Sequence, residues 1–359
     1  MSAPAAPVPS RPFPPVKAIL YDDFGAEPTY RSVPAPSPSP HGVVLRVDAT
    51  GLCRSDWHGW RGHDPLIDPP HVPGHEVAGT VVEVGDAVED WTGGERVTVP
   101  FVGGCGRCAQ CRAGAPQVCP NQFQPGFSGW GSFAERVAID YADQNLVALP
   151  DGLDAVAAAA LGCRFATAFR AVVDQGDVRA GDWVAVHGCG GVGLSALLIA
   201  RAAGARGVAV DVSDEALALA ASLGAEHTVD ARTDDVVAAV RAATDGGAHL
   251  SLDAVGHPDA CHDAIAGLRT QGRHVQVGLL GADSDAAVPM SRVIAEELEV
   301  RGSHGLPAHR YPAMFGMIET GRLDPARLVR RTLPLREAGT ALAQMDDDAP
   351  GITVIDELP

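Results

Sequence analysis

From Trp183 onward the sequence suits little other than a parallel sheet covered by helices. WVAVHG leads to VGLSALLIARAAG, GVAVDV to DEALALAASLG, and HTVDA to VVAAVRAAT. LSLDAVG then precedes a helix expected near Asp259 to Leu268, with RHVQVGLL following. Such alternation of strand and helix patterns reads as βαβ units around a parallel sheet. At the first junction Gly188, Gly190 and Gly193 read G-x-G-x-x-G between a predicted strand and a predicted helix, the context that gives this motif its meaning. The first glycine permits a tight turn, the second lets the backbone approach a pyrophosphate, and the third lets helix and strand close together. The helix N-terminus then offers free N–H groups to the anion. Asp211 ends the second strand, about 20 residues on, where a carboxylate accepts hydrogen bonds from ribose hydroxyls and repels a 2′-phosphate. No basic residue follows Asp211 closely, so NAD is expected over NADP.

The upstream half has another texture. Between residue 17 and about residue 160, short β-branched runs such as VVLRV, EVAGTVVEV and ERVTV are broken by Gly and Pro, which predicts an all-β, loop-rich unit. Within it Cys105, Cys108, Cys111 and Cys119 read C-x2-C-x2-C-x7-C, a spacing suited to one closed, tetrahedral Zn²⁺ site with four sulfur ligands. The first sixteen residues, MSAPAAPVPSRPFPPV, lack the apolar core of a signal peptide and are expected to form a flexible extension. Clustered thiols in a reducing cytosol favour metal over disulfides, a disulfide knot in a secreted protein being the alternative. The 359 residues, 46% of them apolar, are enough for two cores. A net charge of −18, from 45 acidic and 27 basic residues, argues against a nucleic-acid or anionic-membrane surface. No run approaches the ~18 apolar residues of a membrane span.

If those four cysteines are structural, Cys53 in GLCRSDWH and Cys163 in LGCRFAT are free for chemistry, along with His75 and Glu76 in PGHE. Singly each is a weak signal, since a lone buried cysteine is usually a small core hydrophobe. Together Cys53, His75 and Cys163 offer the Cys₂His set of a catalytic zinc with an open fourth position. Glu76 could ligate transiently or tune the metal field. Cys189, Cys261, His257 and His262 lack any ligand pattern.

Taken in order, GLCRSDWH, PGHEVAG, the four-cysteine lobe, LGCRFATAF and GCGGVG resemble the zinc-dependent medium-chain alcohol dehydrogenase family, over nearly the whole chain from about Lys17. The resemblance implies an α/β protein. A GroES-like β-rich catalytic domain with a structural zinc lobe spans 17–164, and a Rossmann doubly wound NAD-binding domain spans 165–300. Residues 301–359 return to the catalytic domain, and 1–16 are the extension. It also implies reversible oxidation of primary or secondary alcohols to aldehydes or ketones, with NAD and two Zn²⁺ per subunit. Cys53, His75 and Cys163 match the catalytic zinc ligands, Glu76 the nearby acid, and Asp56 the carboxylate that orients the zinc histidine. Ser55 and His58 match the proton relay, and Arg54 a pyrophosphate-binding arginine. Thr167 and Val192 match residues beside the nicotinamide, with Gly191 and Gly278 among the cofactor contacts. Trp57, Phe101 and Trp130 are expected to wall the substrate pocket, with Phe127 near it. Relatives are dimers or tetramers. The short stretch from Cys119 to Cys163 is similar to that of tetrameric bacterial members and favours a homotetramer, with a homodimer left open, and the protein is expected to be cytoplasmic.

Two departures stand out. Many relatives carry a C-terminal arginine that helps hold the pyrophosphate, whereas here the stretch reads APGITVIDEL. Many also place a lysine after the ribose-binding acid, and Ala216 and its neighbours supply none. A polyol dehydrogenase of the same superfamily is an alternative, although several such enzymes have glutamate where Cys163 stands. A zinc-stabilised nucleic-acid-binding protein is another, opposed by the negative charge.

Overall fold

The computed structural model describes residues 14–281, 286–345 and 350–359. Most of the expected extension, residues 1–13, lies outside the described residues, and the first strand begins at Val16. That strand, β1 (Val16–Leu20), pairs antiparallel with β2 (Thr29–Val33) in a two-stranded ribbon. Five further strands of the first half follow: β3 (Val43–Leu52), β4 (Glu76–Val84), β5 (Arg96–Thr98), β6 (Arg136–Ile139) and β7 (Val147–Ala148). Their pairing is antiparallel throughout.

The second sheet is formed by β8 (Trp183–His187), β9 (Arg206–Asp211), β10 (Ala225–Asp230), β11 (Ala248–Asp253), β12 (Leu268–Gln276) and β13 (Glu299–Gly302). Its order is β10-β9-β8-β11-β12-β13, parallel throughout. This is the doubly wound Rossmann order, whose crevice opens beyond the carboxyl ends of the strands where the order reverses, here between β8 and β11. All five residues of β8 are buried, as expected for a strand covered on both faces.

The chain then returns to the first sheet. There β14 (Val329–Pro334) and β15 (Ile352–Glu357) extend the order to β14-β15-β3-β4-β5-β7, with Thr353 opposite Leu52.

A helical segment ties the two sheets together. Helix Ala155–Ala159 lies on β3 and β4, while helix Ala166–Phe169 lies on helix Gly191–Ala202, which follows β8. Between them Leu161–Phe165 forms a π-helical turn, a widened geometry often found at functional sites. One apolar core runs through this junction from Ala49 and Ala78 to Val184, Val186 and Leu252. Cys53, at the end of β3, and His75, at the start of β4, therefore face the Cys163 turn across the same junction that leads to Gly188.

Candidate functional site

Gly188 adopts φ +90°, a conformation that side chains other than glycine rarely take. A Cβ on Gly193 would stand 1.8 Å from the Gly188 carbonyl oxygen, so strand end and helix start close only without one. Asp211 braces the turn. It accepts the Cys189 N–H at 2.5 Å and the Ser213 N–H at 2.8 Å. Helix Gly191–Ala202 has no side-chain cap, which leaves its first N–H groups to a ligand. Beside the turn lies a cavity of about 600 Å³ lined by His187, Asp211, Val212, Val236 and Val255, of a size and apolarity that suit an adenosine.

Single ligand atoms of Cys53, His75, Glu76 and Cys163 lie within 4.8 Å of one another. Asp56, in the first turn of helix Arg54–Trp60, holds three of the surrounding groups. Its carboxylate accepts the Cys53 N–H at 2.9 Å, the Gly74 N–H at 3.0 Å and His75 Nδ1 at 2.8 Å. In the neutral ring, with Nδ1 donating to Asp56, the lone pair sits on the buried Nε2, which has no hydrogen-bond partner among the described residues. An orphaned acceptor beside two thiols is the donor chemistry of a Cys₂His zinc site.

Burial opposes charge on His75, yet the Asp56 carboxylate and the Cys53 sulfur outweigh it and raise the imidazole well above its ordinary range. Cys53 is held well below the usual thiol range, chiefly by the hydrogen bond from Cys163, and that bond pushes Cys163 up.

Glu76 is turned toward a residue that the sequence did not single out. Its Oε1 accepts the backbone N–H groups of Cys163 (3.2 Å) and Arg164 (3.1 Å) and Nε of Arg164 (3.1 Å), and its Oε2 accepts Nη2 of Arg164. Both side chains are buried. Burial raises the Glu76 carboxyl, against the Arg164 cation that lowers it.

The second cluster gathers Cys105, Cys108, Cys111 and Cys119, with ligand atoms again within 4.8 Å. All four are free of disulfides. Backbone N–H groups of Cys105, Cys111 and Asn121 point at its sulfurs from 3.3 to 3.4 Å, an arrangement that stabilises thiolates. Hydrogen bonds led by the Arg107 N–H lower Cys105 to about 6, whereas burial raises Cys111 to about 12. Four such sulfurs ionise together only around a cation.

A cleft of about 320 Å³ joins the Cys53 cluster to the glycine turn. Cys53, Arg54, Ser55, Cys163 and Arg164 line it together with Gly190, Gly191 and Val192. Ser55 Oγ is 3.8 Å from Cys53 Sγ. Exposed His58 lies one turn further along the same helix, its Nδ1 3.0 Å from Nδ1 of His63, a second residue the sequence did not flag. Thr167 is buried with no partner for Oγ1. Gly278 lies just beyond β12, its N–H bonded to the Asp253 carbonyl at 2.8 Å, and a Cβ there would strike the Gly256 backbone.

Of the expected pocket aromatics, Phe101 approaches the His75 ring with centroids 6.1 Å apart, and Phe127 comes closer at 5.1 Å. Trp57 stacks edge-on to His58 at 5.0 Å. Trp130 is placed elsewhere. It is 40% exposed, donates to the Pro70 carbonyl at 3.2 Å and lines a separate groove with Val33, Pro34 and Pro36. Gly131 is pressed so closely on the Gly74 carbonyl that a Cβ would stand 2.2 Å from it, and Trp130 lines that other groove. His304, from the returning segment, meets Phe101 at 5.4 Å and was not legible in advance because nothing local marks it.

Residues 39–151 match the family model described as the alcohol dehydrogenase GroES-like domain, and residues 191–320 match that of the zinc-binding dehydrogenase. An alcohol dehydrogenase from Rhizobium meliloti (strain 1021) is 36% identical over 289 residues, covering 80% of this chain and 83% of that protein. The structure of the alcohol dehydrogenase TADH from Thermus sp. ATN1 superposes with a TM-score of 0.88 at 32% identity, covering 95% and 99% of the two chains. Benzyl alcohol dehydrogenase from Acinetobacter calcoaceticus superposes with a TM-score of 0.89 at 25% identity, covering 96% and 100%.

Proposed function

Because the chain belongs to the zinc-dependent medium-chain alcohol dehydrogenase family, we propose that this oxidoreductase interconverts primary or secondary alcohols and their aldehydes or ketones, with NAD as hydride carrier and two zinc ions per subunit. The observation that carries this reading is the orphaned, buried Nε2 of His75 between two thiols, on a cleft shared with the glycine turn. In this reading residues 17–164 with 301–359 form the catalytic unit and 165–300 the nucleotide unit, in a cytoplasmic homotetramer or homodimer.

Cys53, His75 and Cys163 would hold the catalytic zinc, and Cys105, Cys108, Cys111 and Cys119 the structural one. A zinc ion so held would supply a Lewis acid that lowers the pKa of an alcohol oxygen, and bound NAD would supply the hydride acceptor. The chain itself does the rest. Asp56 fixes the tautomer and orientation of His75 through the 2.8 Å bond. Ser55, beside Cys53, relays the substrate's hydroxyl proton, its Oγ accepting that proton as its own passes on. Its neighbour three residues on, exposed His58, lies on the same helix face and passes the proton to solvent. Asp211 holds the adenosine ribose, the N–H groups of Gly191 and Val192 meet the pyrophosphate, and Arg54 adds charge there. Thr167 and Val192 confine the nicotinamide, while Phe101, Phe127 and Trp57 exclude water from the reacting atoms. NADH formation from benzyl alcohol, 1-butanol and sorbitol, run with NAD and NADP separately, tests the reading. Turnover of the two simple alcohols with NAD is expected. Activity confined to sorbitol would shift the protein to the polyol enzymes, and no turnover of any alcohol would overturn the proposal.

A further inference from the structure

We propose that Arg164 anchors the cofactor's phosphates in the cleft and that Glu76 serves it by fixing the guanidinium fork, an inference that rests on the dinucleotide reading above. Arg164 follows Cys163 directly within the π-helical turn. Its stem lies so close to the first residue of the phosphate-facing helix that a Cβ on Gly191 would stand 2.4 Å from Arg164 Cδ. The side chain is 9% exposed, and it lines the cleft together with Gly190 and Val192. Nε and Nη2 are taken by the Glu76 carboxylate. Among the described residues Nη1 has no hydrogen-bond partner, and it is not sealed from solvent. A guanidinium gripped along one edge and open along the other is a pre-organised donor, and planar forks of this kind suit phosphate oxygens.

The charge balance of the cleft points the same way. Its described lining holds two cations, Arg54 and Arg164, and the returning strand contributes Thr353 but no base. Arg54 and Arg164 are therefore the bases that the described lining of this cleft offers an anion. Glu76, for its part, accepts four N–H groups, two of them from the Arg164 side chain. Such a carboxylate is committed to orienting its partner. Glu76 is thus a positioning residue, and its closeness to Cys53 and His75 follows from its place at the start of β4, next to His75 and opposite Gly51 of β3.

Calorimetric titration of the zinc-loaded protein with NADH, ADP and adenosine separates the possibilities. Arg164→Met is expected to weaken NADH and ADP by about tenfold or more, the scale of a lost charge-assisted bond, and to leave adenosine unchanged. Arg164→Lys keeps the charge but not the fork and should fall between. Because Arg164→Met strands a buried carboxylate, the double variant Arg164→Met/Glu76→Gln supplies a neutral background in which ADP should still bind weakly. Glu76→Gln alone should weaken ADP by a smaller factor with two zinc ions retained. Wild-type affinity for ADP in the Met variants, or an equal loss for adenosine and ADP, would overturn the role of Arg164. A Glu76→Gln protein that loses zinc but binds ADP normally would overturn that of Glu76. A wild-type protein that binds neither NADH nor NADPH would sink the dinucleotide reading itself.

Discussion

The Asp56 carboxylate accepts N–H groups from Cys53, Gly74 and His75, so one side chain sets the backbone beside two candidate ligands and the ring of one. Replacing it by asparagine keeps the shape and removes the anion. Zinc affinity at the Cys53 site is expected to fall about 10- to 100-fold, the usual effect of losing such a partner, as read by chelator competition. His75→Ala should go further, leaving one of two zinc equivalents by elemental analysis and abolishing turnover, and a fully active variant would refute the site. At Asp211 the expected change is in selectivity. Asp211→Gly removes the carboxylate that repels a 2′-phosphate, so kcat/KM with NADP should rise relative to NAD, and an unchanged ratio would exclude that role. The same substitution frees the Cys189 and Ser213 N–H groups, so some loss of stability should accompany it.

Among the elements, the turn between β8 and its helix admits the least change. Gly193→Ala places a methyl 1.8 Å from the Gly188 carbonyl oxygen, where neither backbone has room to move without opening the strand–helix junction. Thermal denaturation should show a loss of several degrees, together with weakened NADH binding, whereas Gly190→Ala, which meets nothing within 4 Å, should fold normally. These features were legible because they are local. The glycine spacing lies within one turn, and the four cysteines lie within fifteen residues, so the sequence carries their geometry almost directly. The Cys53 cluster was legible only as a set of separate motifs that a resemblance joined. The Glu76–Arg164 pair was not legible, because its partners stand 88 positions apart and no spacing rule connects them. Trp130 was likewise not placed by its type: aromatic character indicates that a side chain will pack but not where, and here it lines the groove with Val33, Pro34 and Pro36.

On the scale of the whole molecule, the polar groups buried beneath the nucleotide cavity make the fold sensitive to acid. His187, at the end of β8, is lowered to about 3 by burial and by neighbouring His274. The folded state keeps it neutral, while the unfolded chain binds a proton below the ordinary value of about 6.5. Its contribution to stability is therefore complete above pH 6.5 and is lost progressively as pH falls toward 3. Between pH 7 and pH 5 the loss from this one group is about 2 kcal/mol. Urea titrations at the two pH values should show wild type losing more stability than His187→Gln by roughly that amount, and equal losses would place the acid sensitivity elsewhere.

The return of the chain to its first sheet has a consequence for the order in which the molecule is made. Strand β15 lies between β14 and β3, with Thr353 opposite Leu52, so a middle strand of the first sheet is synthesised after the entire parallel sheet. During translation β3 and β4, and with them Cys53 and His75, wait beside an open edge while the nucleotide unit is completed on local contacts. Any metal that Cys53, His75 and Cys163 hold, as proposed, meets a sheet whose edge β15 closes only after all three have been made. The thiols most in need of protection on the ribosome are those proposed to carry the chemistry.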